Sequence, residues 1–243
     1  MLTKAELERY QRQILIEGFD EAGQEKLKQA KVMIAGVGGL GSPIAIYLTV
    51  AGVGHIRIVD NDVVEPSNLN RQILHWDNDI SKAKVQSARE KLSQLNPNIT
   101  VEALQETIAE DNVLELVGDC HLIVDAMDNF PARYLLNKAA LTKRIPFFYG
   151  GINGLYGMAT TLIPGETGCL RCIVNEAPPP MVIPVIGVTP GIIGCIQATE
   201  VIKYIVGNGK LLKNRLLLVD GLEMTFQEVE CGIDPKCPDC GCL

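Results

Sequence analysis

The amino-acid sequence predicts an α/β fold: a mostly parallel sheet with helices on both faces, extended by antiparallel strands in the C-terminal half and by a structural zinc site. Three observations support it: a glycine-rich turn directly after an apolar strand, alternating strand and helix patterns up to residue 150, and two cysteine pairs further on. Such alternation favours parallel pairing, because parallel neighbours need a long crossover connection, usually a helix.

A βαβ unit opens the predicted sheet. Residues 31–35 form a β-branched apolar run, and the sequence GVGGLG at residues 36–41 follows it. A helix is predicted at residues 40–51 and a second strand at residues 55–60, which ends in an acid. A unit of this length and order is typical of a Rossmann-like fold.

The alternation continues along the chain. The first half is completed by strands at residues 99–104, 121–126 and 145–149 and by helices at residues 81–95, 111–117 and 131–143. Ser81 is expected to cap the first of these helices, and Pro131 suits the first turn of the last one. The remaining predicted elements are helices at residues 5–16, 24–29 and 191–206 and strands at residues 156–163, 216–221 and 225–230.

Composition and charge exclude several classes of function. The chain has 243 residues, 47% hydrophobic and 21% charged, which is enough for one large domain with a substantial core. A formal net charge of −7 without a basic block argues against a nucleic-acid partner. The apolar stretch 183–206 is too interrupted by proline and glycine to span a membrane. No secretory signal is recognisable, so we expect a cytoplasmic protein with reduced thiols.

The first turn predicts a nucleotide site. Four glycines lie where the first strand passes into a helix: Gly36, Gly38, Gly39 and Gly41. Without side chains there, the backbone can approach a phosphate beside the N–H groups of the helix N-terminus. Asp60 ends the next strand and can accept hydrogen bonds from ribose hydroxyls. This pattern does not distinguish NAD from ATP, and the sequence lacks a P-loop lysine motif.

The residues after Asp60 favour ATP. The polar loop DNDVVEPSNLNRQ at residues 60–72 contains Arg71, and Lys84 lies at the start of the next predicted helix. Asp128 follows a later strand, and the C-terminal ends of parallel strands converge on one crevice. An acid for Mg²⁺ and two cations for phosphates suit nucleotidyl transfer, whereas hydride transfer to nicotinamide needs no such set.

Other interpretations remain open at this point. An NAD-dependent oxidoreductase would use the glycines and Asp60, and a zinc-stabilised interaction module would need no nucleotide at all. Taken singly, Arg71 and Lys84 are also compatible with solvated surface charges. Asp128 could equally cap the helix that follows it.

Paired cysteines predict a metal site. The pairs are Cys169-x-x-Cys172 and Cys237-x-x-Cys240. Together they supply four thiolates for a tetrahedral Zn²⁺. No ligand position is left for chemistry, so we expect a structural ion that ties the C-terminal tail to an upstream loop. Cys242 is an alternative ligand to Cys240.

In combination, these motifs resemble those of the ThiF/MoeB/HesA family of E1-like adenylyltransferases. The resemblance covers essentially the whole chain and includes RYQRQI at residues 9–14, NLNRQ at residues 68–72 and DAMDN at residues 125–129. It implies that ATP and Mg²⁺ are bound by the four glycines and by Asp60, Asp62, Asn68, Arg71, Gln72, Lys84, Asp128 and Asn129. It also implies that Asp128 holds the Mg²⁺, and that Arg12 joins Arg71, Lys84 and Asp128 in catalysis from the partner subunit.

The resemblance also implies a substrate and partners. Members of this family adenylate the C-terminal Gly-Gly of a small ubiquitin-like (β-grasp) sulfur-carrier protein, for later conversion to a thiocarboxylate. We therefore expect a homodimer, a separate sulfur donor and a single domain over residues 1–243. Its parts are a helical arm (1–30), a nucleotide-binding half (31–150) and a half for carrier binding, dimerisation and zinc (151–243). A peptide or a small-molecule carboxylate is the alternative acceptor.

Overall fold

A computed structural model of the chain describes residues 1–179 and 182–241. The helices in this part are α1 (Lys4–Ile14), α2 (Asp20–Gln29), α3 (Gly41–Ala51), α4 (Lys84–Leu95), α5 (Val113–Val117), α6 (Phe130–Lys143), α7 (Leu170–Ile173) and α8 (Val188–Val206). The strands are β1 (Lys31–Ala35), β2 (His55–Val59), β3 (Thr100–Leu104), β4 (Leu122–Asp125), β5 (Phe147–Asn153), β6 (Tyr156–Leu162), β7 (Arg215–Asp220) and β8 (Thr225–Glu230). Two 3₁₀ turns, Pro66–Asn68 and Asp77–Asp79, lie between β2 and α4.

The strands form one mixed sheet in the order β3-β2-β1-β4-β5-β6-β7-β8. Strands β1 to β5 pair in parallel, and β5 to β8 pair antiparallel. The predicted α/β fold with an antiparallel C-terminal extension is therefore confirmed. The strand order reverses at β1, because the chain first moves to β2 and β3 on one side and then to β4 on the other. In open α/β sheets, ligands bind at the carboxyl ends of the strands at such a switch point.

Strand β1 is buried on both faces, which explains its continuous apolar sequence. Val32 and Ile34 belong to the core cluster that includes side chains of α3, α4 and α8. Met33 and Ala35 belong to the cluster on the opposite face, with side chains of α5 and α6. Alternate residues of one strand thus anchor helices on both faces of the sheet.

The start of α4 differs from the prediction. Ser81 does not cap this helix: it has a φ of +74°, and the helix begins three residues later, after Ala83. The segment before α4 pairs instead with the loop after β2, because Ser81 N–H donates to Val64 O and Lys84 N–H donates to Asp62 O, both at 2.9 Å. These backbone bonds outcompete a serine cap.

Two other elements are longer than predicted. Helix α8 starts at Val188 rather than at residue 191, since Pro190 lies in its first turn, where a proline needs no N–H partner. Strand β5 continues past residue 149 because Gly150 and Gly151 pair with β6. Pairing with the antiparallel strand β6 thus extends β5 beyond the end of its parallel neighbour β4.

The described part of the chain contains no helix with the length and apolarity needed to cross a bilayer. The sequence APPP at residues 177–180, after α7, is typical of an exposed loop, because consecutive prolines favour an extended backbone. Ala177, Pro178 and Pro179 are exposed, as expected, whereas Pro180 lies outside the described residues.

Candidate active site

The carboxyl ends of β1, β2 and β4 meet at one edge of the sheet. Gly36 follows β1, Asp60 follows β2, and residues 126–129 follow β4. Ala126 N–H donates to Ala35 O at 2.8 Å, which joins the third of these segments to the first. The segments predicted to form the nucleotide site are therefore brought together at the switch point of the sheet.

Two glycines of the turn are required by sterics. Gly36 has a φ of +93°, and a Cβ there would lie 2.6 Å from Ala126 O. A Cβ on Gly41 would overlap the Gly36 carbonyl group. Glycine alone fits both positions. Helix α3 begins at Gly41, and its N-cap residue Leu40 makes no side-chain capping bond, an end that suits an anion.

The other two glycines face the walls of the crevice. A Cβ on Gly38 would lie 3.4 Å from Gln72 Nε2. A Cβ on Gly39 would lie 3.4 Å from Pro190 of α8 and 3.6 Å from Arg71 Cγ. The predicted phosphate-binding turn is thus lined by Arg71, Gln72 and the start of α8.

The Asp60 carboxylate connects two loops of the crevice. Its Oδ2 accepts a hydrogen bond from Val37 N–H and its Oδ1 accepts one from Asp62 N–H, both at 2.9 Å. Burial raises the pKa of Asp60, against the opposing effects of these hydrogen bonds and of the Lys84 ammonium. The predicted contact of Asp60 with ribose stays a prediction.

Lys84 is not a solvated surface charge. It is the first residue of α4, and its side chain is only 7% exposed. Its Nζ pairs with Asp62 Oδ2 at 2.7 Å. The ion pair keeps the ammonium group beside Asp60 and the glycine turn, which is compatible with the predicted phosphate contact.

Asn68 and Gln72 are buried within the polar loop. Asn68 Oδ1 accepts a hydrogen bond from Glu65 N–H at 3.1 Å and so caps a 3₁₀ turn. Gln72 is 4% exposed, and its Oε1 has no hydrogen-bond partner among the described residues. Orphaned buried polar atoms are rare in folded proteins, so this amide beside Gly38 is consistent with a bound group at the turn.

Arg71 lies between the glycine turn and the loop that precedes α8. Its Nη1 donates to Ser67 O at 2.9 Å and to Asn70 Oδ1 at 3.0 Å. A Cβ on Gly187 would lie 3.2 Å from Arg71 Cα, so the loop before α8 packs closely on this residue. The residue as a whole is half-buried, and its guanidinium keeps further N–H donors for an anion.

Asp128 and Asn129 follow β4 and have different roles. Asn129, not Asp128, is the N-cap of α6, and its Oδ1 accepts a hydrogen bond from Ala132 N–H at 3.0 Å. The Asp128 carboxylate is exposed and accepts from Asn129 Nδ2 at 3.3 Å. The capping interpretation of Asp128 is therefore wrong. An exposed carboxylate at this edge has the oxygen donors that Mg²⁺ prefers.

A buried polar cluster behind Asp128 was missed by the sequence analysis. Asp125 is fully buried and pairs with Arg133 Nε at 3.1 Å. Arg133 Nη2 donates to Met127 O at 2.6 Å and to Gly150 O at 2.9 Å, while Gln197 Nε2 donates to Asp125 O at 2.7 Å. Burial raises the pKa of Asp125 to about 6, although Arg133 opposes the shift. The available signal was an arginine one helical turn after the cap of α6.

Arg12 is exposed on α1 and is remote from the glycine turn of its own chain. The neighbouring Gln13 donates through Nε2 to Ala51 O at 2.8 Å, at the end of α3 away from the turn. An 11-residue helix spans roughly 16 Å. A role for Arg12 at the site therefore requires a second subunit, and it stays a prediction.

The four predicted metal ligands form one cluster. The sulfur atoms of Cys169, Cys172, Cys237 and Cys240 lie within 4.8 Å of one another. The Cys169–Cys237 and Cys172–Cys240 sulfur separations are 3.5 and 3.4 Å, too long for disulfides. Four thiolates around Zn²⁺ stand about 3.8 Å apart for a Zn–S bond of about 2.3 Å, so the residues fit zinc. The alternative ligand Cys242 lies outside the described residues.

Asn137 joins α6 to this cysteine cluster. Its Oδ1 accepts a hydrogen bond from Leu170 N–H and its Nδ2 donates to Asp239 Oδ2, both at 2.9 Å. Leu141, one turn further on, packs against the cysteines. Asn137 could not be predicted from the sequence, because a polar residue in a helix does not reveal which loop it will contact.

The sheet order, with polar residues gathered at its switch point, is typical of α/β nucleotide-binding proteins. The chain belongs to the ThiF family, whose sequence model matches residues 10–242. It is 43% identical to the SAMP-activating enzyme E1 of Haloferax volcanii, over 99% of this chain and 91% of that one. It is 41% identical to the sulfur carrier protein adenylyltransferase of Thermus thermophilus, over 98% and 92% of the two chains.

The fold is also found in solved structures. The crystal structure of E. coli MccB with MccA-N7isoASN matches with a TM-score of 0.87 and 25% identity, over 97% of this chain and 74% of that one. The predicted family is therefore confirmed. The prediction of an adenylyltransferase from an ATP-using family is confirmed with it.

Proposed function

We propose that this adenylyltransferase uses Mg-ATP to activate the C-terminal carboxylate of a small ubiquitin-like sulfur-carrier protein that ends in Gly-Gly. The observation that carries the proposal is the arrangement of Arg71, Lys84 and the exposed Asp128 around one glycine turn. The names of two relatives support the substrate class, since one activates SAMP and the other adenylates a sulfur carrier protein.

The proposed reaction needs charge neutralisation more than proton transfer. A carboxylate oxygen attacks the α-phosphorus of ATP, the bond to the bridging oxygen breaks, and pyrophosphate leaves with the electron pair. The nucleophile is already ionised at pH 7, so no general base is required. Both reactants are anions, and Arg71 and Lys84 lower the repulsion between them and stabilise the transition-state charge.

The other predicted site residues would bind either the nucleotide or the metal. Asp128 would hold Mg²⁺, which neutralises phosphate charge when it is bound. The glycine turn and the N-terminus of α3 would bind the phosphates, and Asp60 the ribose. Asp62, Asn68, Gln72 and Asn129 shape the walls in the present structure, and we propose that they contact the nucleotide from there.

A peptide carboxylate is the second candidate acceptor. It is favoured by the structural match to MccB, whose solved complex contains MccA-N7isoASN. The two candidates are separated by ATP–pyrophosphate exchange in the presence of either a folded carrier ending in Gly-Gly or a short unfolded peptide. Our proposal expects the carrier to stimulate exchange strongly, whereas stimulation by the peptide alone would favour the alternative.

We also propose that the reaction stops at the acyl-adenylate, which a separate sulfur donor then intercepts. The loop after α7 contains no cysteine between residues 175 and 184. Burial raises the pKa of the Cys195 and Cys231 thiols, which disfavours the reactive thiolate form. Enzyme, carrier and Mg-ATP should give no reducible adduct on a non-reducing gel. An adduct that disappears in Cys195→Ala would contradict this proposal.

A further inference from the structure

Four buried polar side chains form a chain of hydrogen bonds behind the glycine turn. Asp79, Lys91, Ser87 and His75 are 7, 8, 0 and 3% exposed. Lys91 Nζ pairs with Asp79 and donates to Ser87 Oγ at 2.9 Å. Ser87 Oγ lies 2.9 Å from His75 Nδ1, and His75 Nε2 lies 3.0 Å from Val37 O. We call these four side chains the relay.

The partners of His75 restrict which ring nitrogen carries a proton. The Lys91 ammonium only donates, so Ser87 Oγ accepts from it and can donate its own proton to His75 Nδ1. The Val37 carbonyl oxygen only accepts, so His75 Nε2 must carry the ring proton. In a neutral imidazole this leaves Nδ1 without a proton, so the Val37 carbonyl selects the Nε2–H tautomer and Nδ1 can accept from the Ser87 hydroxyl.

The electrostatic surroundings agree with a neutral ring. Burial lowers the pKa of His75 to about 4, and the nearby cations Lys84 and Lys91 act in the same direction. The hydrogen bond to Val37 and the charge of Asp79 oppose this shift without cancelling it. The imidazole is therefore neutral at pH 7 and can accept from Ser87 while donating to Val37.

Val37 is held on both sides of its α-carbon. Its N–H donates to Asp60 Oδ2, and its C=O accepts from His75. It lies between Gly36 and Gly38, whose backbones have the greatest conformational freedom in the turn. The two hydrogen bonds of Val37 therefore restrict the backbone of the turn between two glycines that would otherwise leave it free.

The relay also connects the turn to α4. Ser87 and Lys91 are residues of α4, and Lys84 is its first residue. A helix is a rigid element over this length, so the turn and the Lys84 ammonium are held in a fixed relation. The two parts of the proposed phosphate site are thus positioned by one buried network.

We propose that His75 is a positioning residue: through the Val37 carbonyl it holds the glycine turn in the conformation that binds the nucleotide, and Ser87, bonded to Lys91, supports the ring as the donor to Nδ1. The inference rests on the proposed function, in which the nucleotide is ATP. His75 touches no reacting atom in this scheme and acts only through Val37.

The first test compares two substitutions of His75. His75→Phe keeps a planar aromatic ring but leaves the Val37 carbonyl unpaired, so KM for ATP should rise about tenfold while KM for the carrier stays unchanged. His75→Gln retains an N–H donor and should recover most of the loss. The control His121→Phe alters an exposed histidine at the opposite edge of the sheet and should leave KM for ATP unchanged.

The second test reads the tautomer directly in the wild-type protein. An ¹⁵N–¹H correlation spectrum of the imidazole groups at pH 7 should show His75 as the Nε2–H tautomer. Ser87→Ala removes the donor to Nδ1 and should weaken ATP binding by a smaller factor. If His75→Phe does not fold, this variant and the wild-type spectrum decide the question.

Two results would overturn the inference: the Nδ1–H tautomer in the wild-type protein, or an unchanged KM for ATP in folded His75→Phe. Failure of the proposed function looks different, because no carrier would then stimulate pyrophosphate exchange. In that case the spectrum and direct titration with ATP still test the role of His75.

Discussion

At the scale of single residues, the neighbours Asp128 and Asn129 have different roles. Asn129 caps α6, and this leaves the adjacent Asp128 carboxylate exposed at the crevice. The sequence suggests Asp128 as a possible helix cap, and an asparagine side chain suits an N-cap equally well. Hydrogen-bond geometry decides between them, and the exposed Asp128 carboxylate stays available for the proposed Mg²⁺.

Asp128→Asn should therefore impair catalysis without loss of fold. Removal of the carboxylate charge is expected to lower the rate of ATP–pyrophosphate exchange by about 10²–10³-fold, the usual effect of losing one preorganised charge contact. Asp119→Asn is the matched control, because Asp119 is 64% exposed and precedes β4 at the opposite edge of the sheet. Near-normal exchange in folded Asp128→Asn would show that the metal site is assigned wrongly.

Acid stability should report on His75. Its pKa is about 4 in the folded protein and 6.5 for the unperturbed group, so the unfolded chain binds more protons between these values. Stability should then fall as the pH drops from 6.5 to 4, by roughly 3 kcal/mol from this group. Urea unfolding at pH 7 and pH 4.5 should show a smaller loss for His75→Gln than for the wild type. Equal losses in the two proteins would contradict this account.

At the scale of elements, α6 connects the two sites. Its first turn carries the cap beside Asp128, its second turn contains Arg133, and Asn137 binds the segments on either side of the cysteine cluster. The cluster in turn joins α7 to the C-terminal tail. A metal in the cluster would therefore stabilise the tail and the far end of α6 together.

We expect one Zn²⁺ per chain, bound by the four clustered cysteines. Cys237→Ser should reduce the zinc content and lower the thermal midpoint, by about 2–4 °C for each kcal/mol lost in a chain of this size. Cys231→Ser is the control, since Cys231 lies near the cluster but outside its four ligands. Purified protein without zinc and with full thermal stability in chelator would rule out the structural ion.

Element boundaries show what the sequence could and could not predict. β1 and β8 have the predicted bounds, because the residues of each strand differ clearly in type from those that flank it. The start of α4 was misplaced, since the backbone of Ser81 bonds to Val64, a contact between loops that helix-start rules do not include. The Asp125–Arg133 cluster and the relay could not be predicted for the same reason: each is completed by a contact with a distant part of the chain, Gln197 with Asp125 and His75 with Val37.

At the scale of the whole molecule, the predicted dimer rests on Arg12. Within one chain Arg12 lies near the C-terminal end of α3, whereas the crevice is at the N-terminal end of that helix. If Arg12 acts in the partner's site, a mixed dimer of Arg12→Ala and Asp128→Ala contains one complete site. Random mixing of equal amounts makes half of the dimers mixed, so about a quarter of the wild-type activity should return.

The mixed-dimer experiment contains its own control. Each variant measured separately should be nearly inactive, and mixing should restore activity only after subunits have exchanged. Activity that stays at the level of the separate variants after exchange is verified would exclude a contribution of Arg12 in trans. Sedimentation at micromolar concentration should show a dimer for the wild type and for both variants.

The proposed product of the crevice is an acyl-adenylate on a sulfur-carrier protein. The most direct measurement is the intact mass of a carrier ending in Gly-Gly after incubation with the enzyme, Mg-ATP and pyrophosphatase. Our account predicts a carrier mass increased by one adenylyl group, with no increase for Asp128→Asn or for a carrier that lacks its last glycine. An unmodified carrier under conditions in which the same enzyme adenylates a short peptide would contradict it.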